Sequence, residues 1–573
     1  MRGFLARLAG IRGRLAAATL AGAGTVAAGV GLLATGAYLI TRAAEHPGIL
    51  DLTVAIVGVR FFGISRAVLR YLERLSGHDA ALRLVARLRT RAFRAVERLT
   101  PAGIEEERAG DLLSRLTDDL EEIEQALLRA LLPVAVTGLT VIGAGAAAWA
   151  LLPAAGYLVA AGLAVTAAAA GGAALAAGRR RTGRLAAARA DLAAVVVDLV
   201  EGAAEAAVHG RVPGLLERAA EADARLTRLG RGAAWVSGLG SGLVALGSGL
   251  CLWLVTRAGL DAAAAGTLDP VLLGALALLT LSAFEPVALL PHGLLRLDDG
   301  LAASARLDAL ERRPDPAPEP AEPGPLPAGH RLELREAWLR HRPGGPWALQ
   351  GVSLALEPGR RVALVGESGA GKSSVAQALL RWRDLDGGAY LVGGVDARRL
   401  PGAEVRRRVG LAGEEAFLVP GTLADNLLLG RPGATPAELQ AALAAARLDD
   451  WVAGLPAGLA TPVGPGGAEV SGGERRRLSL ARARLAAFPV LIADEPTAGL
   501  DPGTATAVVA ALVATGERRG LLLITHGTEG LEQMDEIVVL DRGRVVERGT
   551  HAGLLAAGGR YARFWEARRP AAG

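Results

Sequence analysis

Cysteine is all but missing: Cys251 is the single one in 573 residues. No disulfide can close within the chain and no cysteine-based metal cluster can be assembled. Set in an apolar run, Cys251 reads as a small packed side chain of a helix. Aromatic residues make up only 4% of the chain. Lysine is rarer still: of 63 basic residues only Lys372 is a lysine, and the rest are arginine. Charge is also absent from long tracts of the N-terminal half. The chain is 51% hydrophobic and 21% charged, too apolar for an ordinary soluble enzyme and too charged for a bare membrane bundle. Its length argues for more than one domain. The formal net charge of +5 does not imply nucleic acid, because arginines flanking apolar spans follow the positive-inside rule.

A bilayer-crossing helix needs about 20 mostly apolar residues. Six stretches qualify: 15–41, 52–74, 130–151, 154–178, 232–256 and 270–295. The first follows Arg2, Arg7, Arg12 and Arg14 and is longer than the apolar part of a cleaved signal, so it reads as a retained span. The charge-free tract from Ala130 to Gly178 is divided at Leu151-Leu152-Pro153-Ala154-Ala155-Gly156 into a hairpin. Arginine crowds the N-terminal segment and the loops after the second and fourth spans, and is sparse in the other turns. That asymmetry puts the N-terminus, both long loops and the C-terminal part in the cytoplasm. The long loops have helical periodicity and many Glu/Arg pairs, and are expected to extend the membrane helices into solvent. Gly238 and Gly242 form a GxxxG pair suited to close helix packing. The run from Pro314 to Pro327 reads as a semi-rigid linker. The expected organisation is an all-α six-helix membrane domain over residues 1–312, a linker over 313–330, and an α/β domain over 331–573.

In that last part, Val362–Val365 reads as a buried strand. Gly366-Glu367-Ser368-Gly369-Ala370-Gly371-Lys372-Ser373 follows, and Ser374 to Leu380 has helical pattern. This is GxxxxGK[ST] in a strand–loop–helix context, a phosphate-binding loop. Backbone N–H groups freed by the glycines wrap phosphate oxygens, and the helix N-terminus adds its dipole. Lys372 is expected to reach the β/γ-phosphates and Ser373 to ligate Mg²⁺, with Ser374 beside it. A second strand, Val490 to Ala493, ends in Asp494-Glu495. Asp494 is placed for Mg²⁺ and Glu495 for the attacking water.

Between these motifs stands Ser471-Gly472-Gly473-Glu474, about 20 residues before the Asp-Glu strand. This resembles the signature of the ABC transporter family. The resemblance implies a type I ABC exporter fold, ATP and Mg²⁺ as ligands, and a signature that binds the γ-phosphate held by the opposing subunit. It further implies Asp501 in Ala498-Gly499-Leu500-Asp501 as the D-loop aspartate and His526 in Ile524-Thr525-His526 as the switch histidine. Two positions depart from the family pattern. Glu414 stands where a Mg²⁺-sensing glutamine is usual and is a further candidate for the metal. His341 stands near the place of the aromatic residue that stacks on adenine, with Trp338 as the nearby alternative.

The second span carries Arg60, Arg66 and Arg70, the last two on one face. A charge in hydrocarbon is costly, so these side chains should face a polar cavity, with Glu285 of the sixth span as a candidate partner. They form either an internal salt bridge with snorkelling or a path for a small carboxylate-bearing substrate. The stretch Val59–Asp79, with looser matches at Leu99–Gly103 and Arg108–Leu113, resembles the CydC subunit family of heterodimeric CydDC thiol exporters. That resemblance implies export of glutathione and cysteine across the bacterial inner membrane, a CydD-like partner, support of cytochrome bd assembly, and haem association. His78 is the candidate haem ligand; the competing reading is that His78-Asp79 caps or tethers a helix end. A homodimeric exporter of lipids or hydrophobic drugs is the alternative class.

Overall fold

The structure is a computed structural model that describes residues 4, 7–105, 107, 109–179, 182–413, 417–464, 470–516 and 519–568. Two compact units emerge: residues 1–98 with 107–313, and residues 99–106 with 314–573.

The first unit is all helix. Among the described residues six helices are long and apolar enough to cross a membrane. Helix α1 is Arg12–Ala43 and α2 is Ile49–Leu99. Helix α3, Leu132–Leu151, is fed by a π-helical turn, Leu127–Leu131. Helix α4 is Pro153–Arg179 and α5 is Val212–Ala264. The sixth span is split into α6, Pro270–Ala283, and α7, Leu290–Glu311. The α3–α4 hairpin turns where the sequence suggests, with Leu152 extended and Pro153 opening the next helix. At 51 and 53 residues, α2 and α5 are each roughly 75 Å long, more than twice the ~30 Å hydrocarbon. The expected helical extensions are therefore continuous with the spans.

Two expectations need correction. The sixth span was expected to run unbroken over 270–295, yet it tightens at 284–289. Phe284 and Glu285 donate three residues back, to Leu281 and Ser282. Pro286 has no N–H to continue the α-helical ladder. Gly238 and Gly242 do not make a close contact within the chain, since a Cβ at either would meet nothing within 4 Å. The close approaches of α5 lie on another face. A Cβ at Gly240 would strike Pro291 at 2.6 Å, and one at Gly247 would strike Thr166 at 2.2 Å.

Among the described residues the second unit holds twelve strands: β1 Leu332–Arg340, β2 Trp347–Leu356, β3 Arg361–Val365, β4 Gly387–Val392, β5 Val395–Asp396, β6 Val409–Ala412, β7 Gly421–Thr422, β8 Pro462–Val463, β9 Val490–Asp494, β10 Gly520–Thr525, β11 Glu536–Asp541 and β12 Arg544–Gly549. The main sheet has the order β12-β11-β3-β10-β9-β6. Its central strands are parallel. Alternate residues of β3 enter two different cores, Ala363 and Val365 one, Val362 and Leu364 the other. A sheet covered on both faces explains why these strands read as unbroken apolar runs. Helix α8, Lys372–Leu379, follows β3; α9 is Gly472–Ala486, α10 Pro502–Gly516 and α11 Arg560–Arg568.

The proline-rich segment is a strap on this unit rather than a free spacer. Asp384 N donates to Pro316 O at 2.8 Å and Gly324 N to Arg399 O at 2.6 Å. Arg381, 1% exposed, donates from Nη2 to Pro318 O at 2.7 Å, from Nε to Asp384 at 3.0 Å, and from Nη1 to Leu400 O. Truncating it leaves buried carbonyls and a carboxylate without their donor, at a cost of about 3 kcal/mol. Arg381→Ala is expected to lower the thermal unfolding midpoint of the full chain by about 5 °C or more. Arg407→Ala, on a side chain that is 73% exposed, should leave the midpoint in place.

Candidate functional site

The parallel register places three strand ends side by side. Val365 of β3 pairs with Thr525 of β10, and Ile524 of β10 with Asp494 of β9. Ligand crevices of such sheets lie outside these carboxyl ends. The loop 366–371 leaves β3 there and opens α8. Its glycines are demanded by geometry. Gly371 has φ 104°, and a Cβ on it would strike Ala348 O at 2.5 Å; one on Gly366 would strike Leu540 O at 2.3 Å. Gly369 also has positive φ. Glu367, Ser368 and Ala370 complete the loop, and Ala370 N donates to Glu367 O at 3.2 Å.

Lys372 is buried, and its ammonium donates to Gly366 O at 2.9 Å and Glu367 O at 3.0 Å. The same nitrogen lies 3.3 Å from His526 Nε2, which is 2.7 Å from Glu495 Oε1. Lys372, His526 and Glu495 are thus one chain of contacts running across the strand ends. Burial pulls the Lys372 amine below its ordinary value, against the opposing charges of Glu495 and Asp494. Glu495 holds φ 48°, a costly backbone for a residue other than glycine, and its N–H is tied to Ile524 O at 2.8 Å. Ser373 is exposed at the start of α8, and Ser374, buried behind it, meets His341 Nε2 at 3.1 Å. His341 therefore reaches the loop, while Trp338 stacks edge-on with Trp347, centroids 5.2 Å apart. Glu414 lies outside the described residues.

The signature residues are not part of this cluster. Ser471 caps α9, its backbone N–H bonding Glu474 Oε2 at 2.7 Å and its hydroxyl accepting from Glu474 N at 3.3 Å. Ser471 and Gly472 are exposed. None of Ser471, Gly472, Gly473 and Glu474 bonds to the phosphate loop, among the described residues. Asp501 accepts from Thr504 N at 2.9 Å, and that cap, from hydroxyl and N–H of Thr504, holds its carboxyl below the usual range. Sequence reasoning missed Arg476, which donates to Ala498 O and ties the signature helix to the D-loop. It also missed the docking of the segment after α2: Arg383 Nη2 donates to Ala102 O at 2.6 Å, and Gln377 Nε2 to Glu105 Oε1 at 2.7 Å. Only tertiary contact reveals either.

In the membrane unit Glu285 accepts from two arginines. Arg66 Nη2 reaches both carboxylate oxygens, at 2.9 and 2.8 Å, and Arg70 Nη2 reaches Oε1 at 2.9 Å. Arg60 is exposed and makes no ion pair among the described residues. His78 is exposed in the middle of α2. No helix ends there, so the capping reading falls. Asp79 does tether, bonding Arg14 of α1 at 2.5 Å and Arg83 at 2.9 Å. A haem needs an apolar cleft, and His78 stands on an open face of one helix between exposed Leu75 and Leu82. The residues of this chain alone do not fit haem.

A six-span helical unit and a phosphate loop at the ends of a parallel sheet define a multi-pass membrane protein that works with ATP. Residues 349–498 match the ABC transporter family and residues 16–287 the ABC transporter transmembrane region. The chain is 30% identical over 92% of both chains to the Bacillus subtilis glutathione/L-cysteine transport protein CydD. It is 29% identical over 88% of both chains to the Escherichia coli glutathione/L-cysteine transport protein CydC. It is 41% identical to the Mycobacterium tuberculosis mycobactin import protein IrtA over 55% of this chain, and that match spans only 37% of IrtA. A bacterial Atm1-family ABC exporter with ATP bound shares its fold, with TM-score 0.75, 23% identity, and 98% and 99% of the two chains covered. The chain belongs to the ABC transporter family: it is an ATP-driven transporter with ATPase activity, and binds ATP with Mg²⁺.

Phosphate at the Lys372 ammonium favours its protonated form, whereas burial disfavours it. Below the lowered pKa the amine is charged with or without nucleotide, so ATP affinity should be flat with pH there. Above that lowered pKa, binding must take up a proton, and affinity should fall about tenfold per pH unit until the amine also loses its proton in the complex. Fluorescent-nucleotide titrations across the alkaline range check this, and Lys372→Arg should remove the dependence.

Proposed function

We propose that this chain is one half of an ATP-driven exporter of small thiols, glutathione and cysteine, paired with a CydD-like ABC half. It sits in the bacterial inner membrane with both termini cytoplasmic, and supports cytochrome bd assembly. One observation supports the reading: both thiol-transport relatives correspond to this chain over about nine-tenths of their length, whereas the mycobactin relative does so over 37% of its length and a Mycobacterium bovis fatty acid transporter over 75% of its length.

In this reading Gly366 to Ser374 cradle the phosphates of ATP, and Lys372 exchanges its loop carbonyls for phosphate oxygens. Ser373 and Asp494 hold Mg²⁺, with Glu414 as a further ligand. Glu495 orients water, and His526 positions Glu495 and the γ-phosphate. His341 packs against adenine. Ser471, Gly472, Gly473 and Glu474 meet the partner's ATP, because their exposed N-terminus has no phosphate loop of its own to serve. Asp501, linked through the D-loop to Arg476, reports across the same interface. Closure of two such units binds ATP better than the open form does, and that difference is the free energy available for transport. The docked segment 99–105 is the element through which closure is felt by α2.

The two-chain complex in lipid vesicles is expected to move labelled glutathione or cysteine only with ATP. Lys372→Ala should abolish flux by removing nucleotide binding. Glu495→Gln should keep binding and lower hydrolysis at least about a hundredfold. Movement of neither thiol by the wild-type complex contradicts the cargo, and robust ATP-dependent flux of a lipid by this chain alone favours the homodimeric alternative.

A further inference from the structure

The membrane unit contains a charge arrangement with a built-in imbalance. Arg66 and Arg70 stand one turn apart on α2 and share one carboxylate, Glu285, at the break between α6 and α7. Glu73 stands in electrostatic range of Arg70, Arg74 and Glu285. Counted at 1.5 Å per residue from Leu52 and Pro270, Arg66 and Glu285 both lie roughly 20 Å into the hydrocarbon.

The two arginines are not equivalent. Arg66 grips both oxygens of Glu285, and its guanidinium lies close against Gly29 of α1, where a Cβ would stand 3.3 Å from Nε. Arg70 makes one bond to one oxygen and is 44% exposed. Most of its five N–H donors therefore point away from Glu285. By the same count the Cα of Arg70 stands at roughly 27 Å, near the headgroup end of the ~30 Å hydrocarbon. Its bond to Glu285 draws the guanidinium inward from there, and a half-open guanidinium so held is costly against lipid, which favours a polar chamber on its free side. The break is part of the device: tightening at Pro286 brings Glu285 to that position.

We propose that Arg70 is the receptor for a carboxylate of the cargo, with Arg66 positioning Glu285 as the internal carboxylate that cargo partly displaces. This rests on the reading of the cargo as a small anionic thiol and adds the group that reads its charge. A planar fork pairs with a carboxylate by two parallel bonds, so an arriving carboxylate takes the free side of Arg70 while Arg66 keeps Glu285. The positive charge is never left bare, and release needs only the return of Glu285.

The test compares three probes as stimulators of ATPase activity in the lipid-reconstituted two-chain complex: glutathione, S-methylglutathione and glutathione diethyl ester. The first two carry carboxylates, and the third has a thiol but no carboxylate. The expected result is an apparent KM at least about tenfold lower for the two acids than for the diester, with glutathione below S-methylglutathione because the free thiol is read as well. Arg70→Gln should erase that gap by weakening the acids alone, and Glu285→Gln should lower the KM of the acids by removing their competitor. A gap absent in the wild type, or one that survives Arg70→Gln, overturns the proposal, as does an equal loss for all three probes. If S-methylglutathione matches glutathione and Arg70→Gln still erases the gap, the charge reading stands and the thiol reading fails. If none of the three stimulates, both fall.

Discussion

The parallel pairing of β3, β10 and β9 is the constraint from which the rest of the ATPase unit follows. Three neighbouring strands ending at one level deliver a lysine, a histidine and a glutamate to one place without any of them being close in sequence. The loop after β3 tolerates no side chain at Gly366 or Gly371 because the backbones of Leu540 and Ala348 already occupy that space. The buried ammonium needs acceptors, and the loop's own carbonyls supply them until phosphate competes. The contacts among Lys372, His526 and Glu495 mean that a change at any one alters the charge seen by the other two.

The membrane unit obeys a different constraint. Apolar helices there gain little from being apolar, and small residues and polar pairs decide how they meet. Gly293 marks where a backbone comes close, Gly240 and Gly247 where Pro291 and Thr166 press against α5, and Arg66, Glu285 and Arg70 are a polar group held at depth. Proline serves both units differently. Pro286 interrupts a span so that a carboxylate can turn inward, and the run from Pro314 to Pro327 supplies the carbonyls of Pro316 and Pro318 to Asp384 N and Arg381.

Much of this was legible from residue order. Long, mostly apolar runs located all six spans, arginine-rich loops matched the long helical extensions, and glycine spacing located the phosphate loop to the residue. What escaped was whatever depends on the phase or position of a neighbour. GxxxG at Gly238 and Gly242 names one face of α5, but the closely packed face is that of Gly240, because Pro291 lies there. The linker reads as a spacer until Arg381, fully buried, is seen holding it. The break at Pro286 carries a local signal, and a continuous apolar run outweighed it. His78 shows the limit of residue type alone: it stands on an open face of α2, so this chain by itself supplies no cleft for a haem.

The central claim is that the cluster at the strand ends and the signature at the start of α9 serve different nucleotides. Vanadate trapping of labelled nucleotide in a two-chain complex, with Ser471→Arg in this chain only, tests it most directly. The account predicts that trapping is lost on the partner while this chain still binds nucleotide in its own loop. Loss of trapping on this chain with the partner unaffected would contradict it.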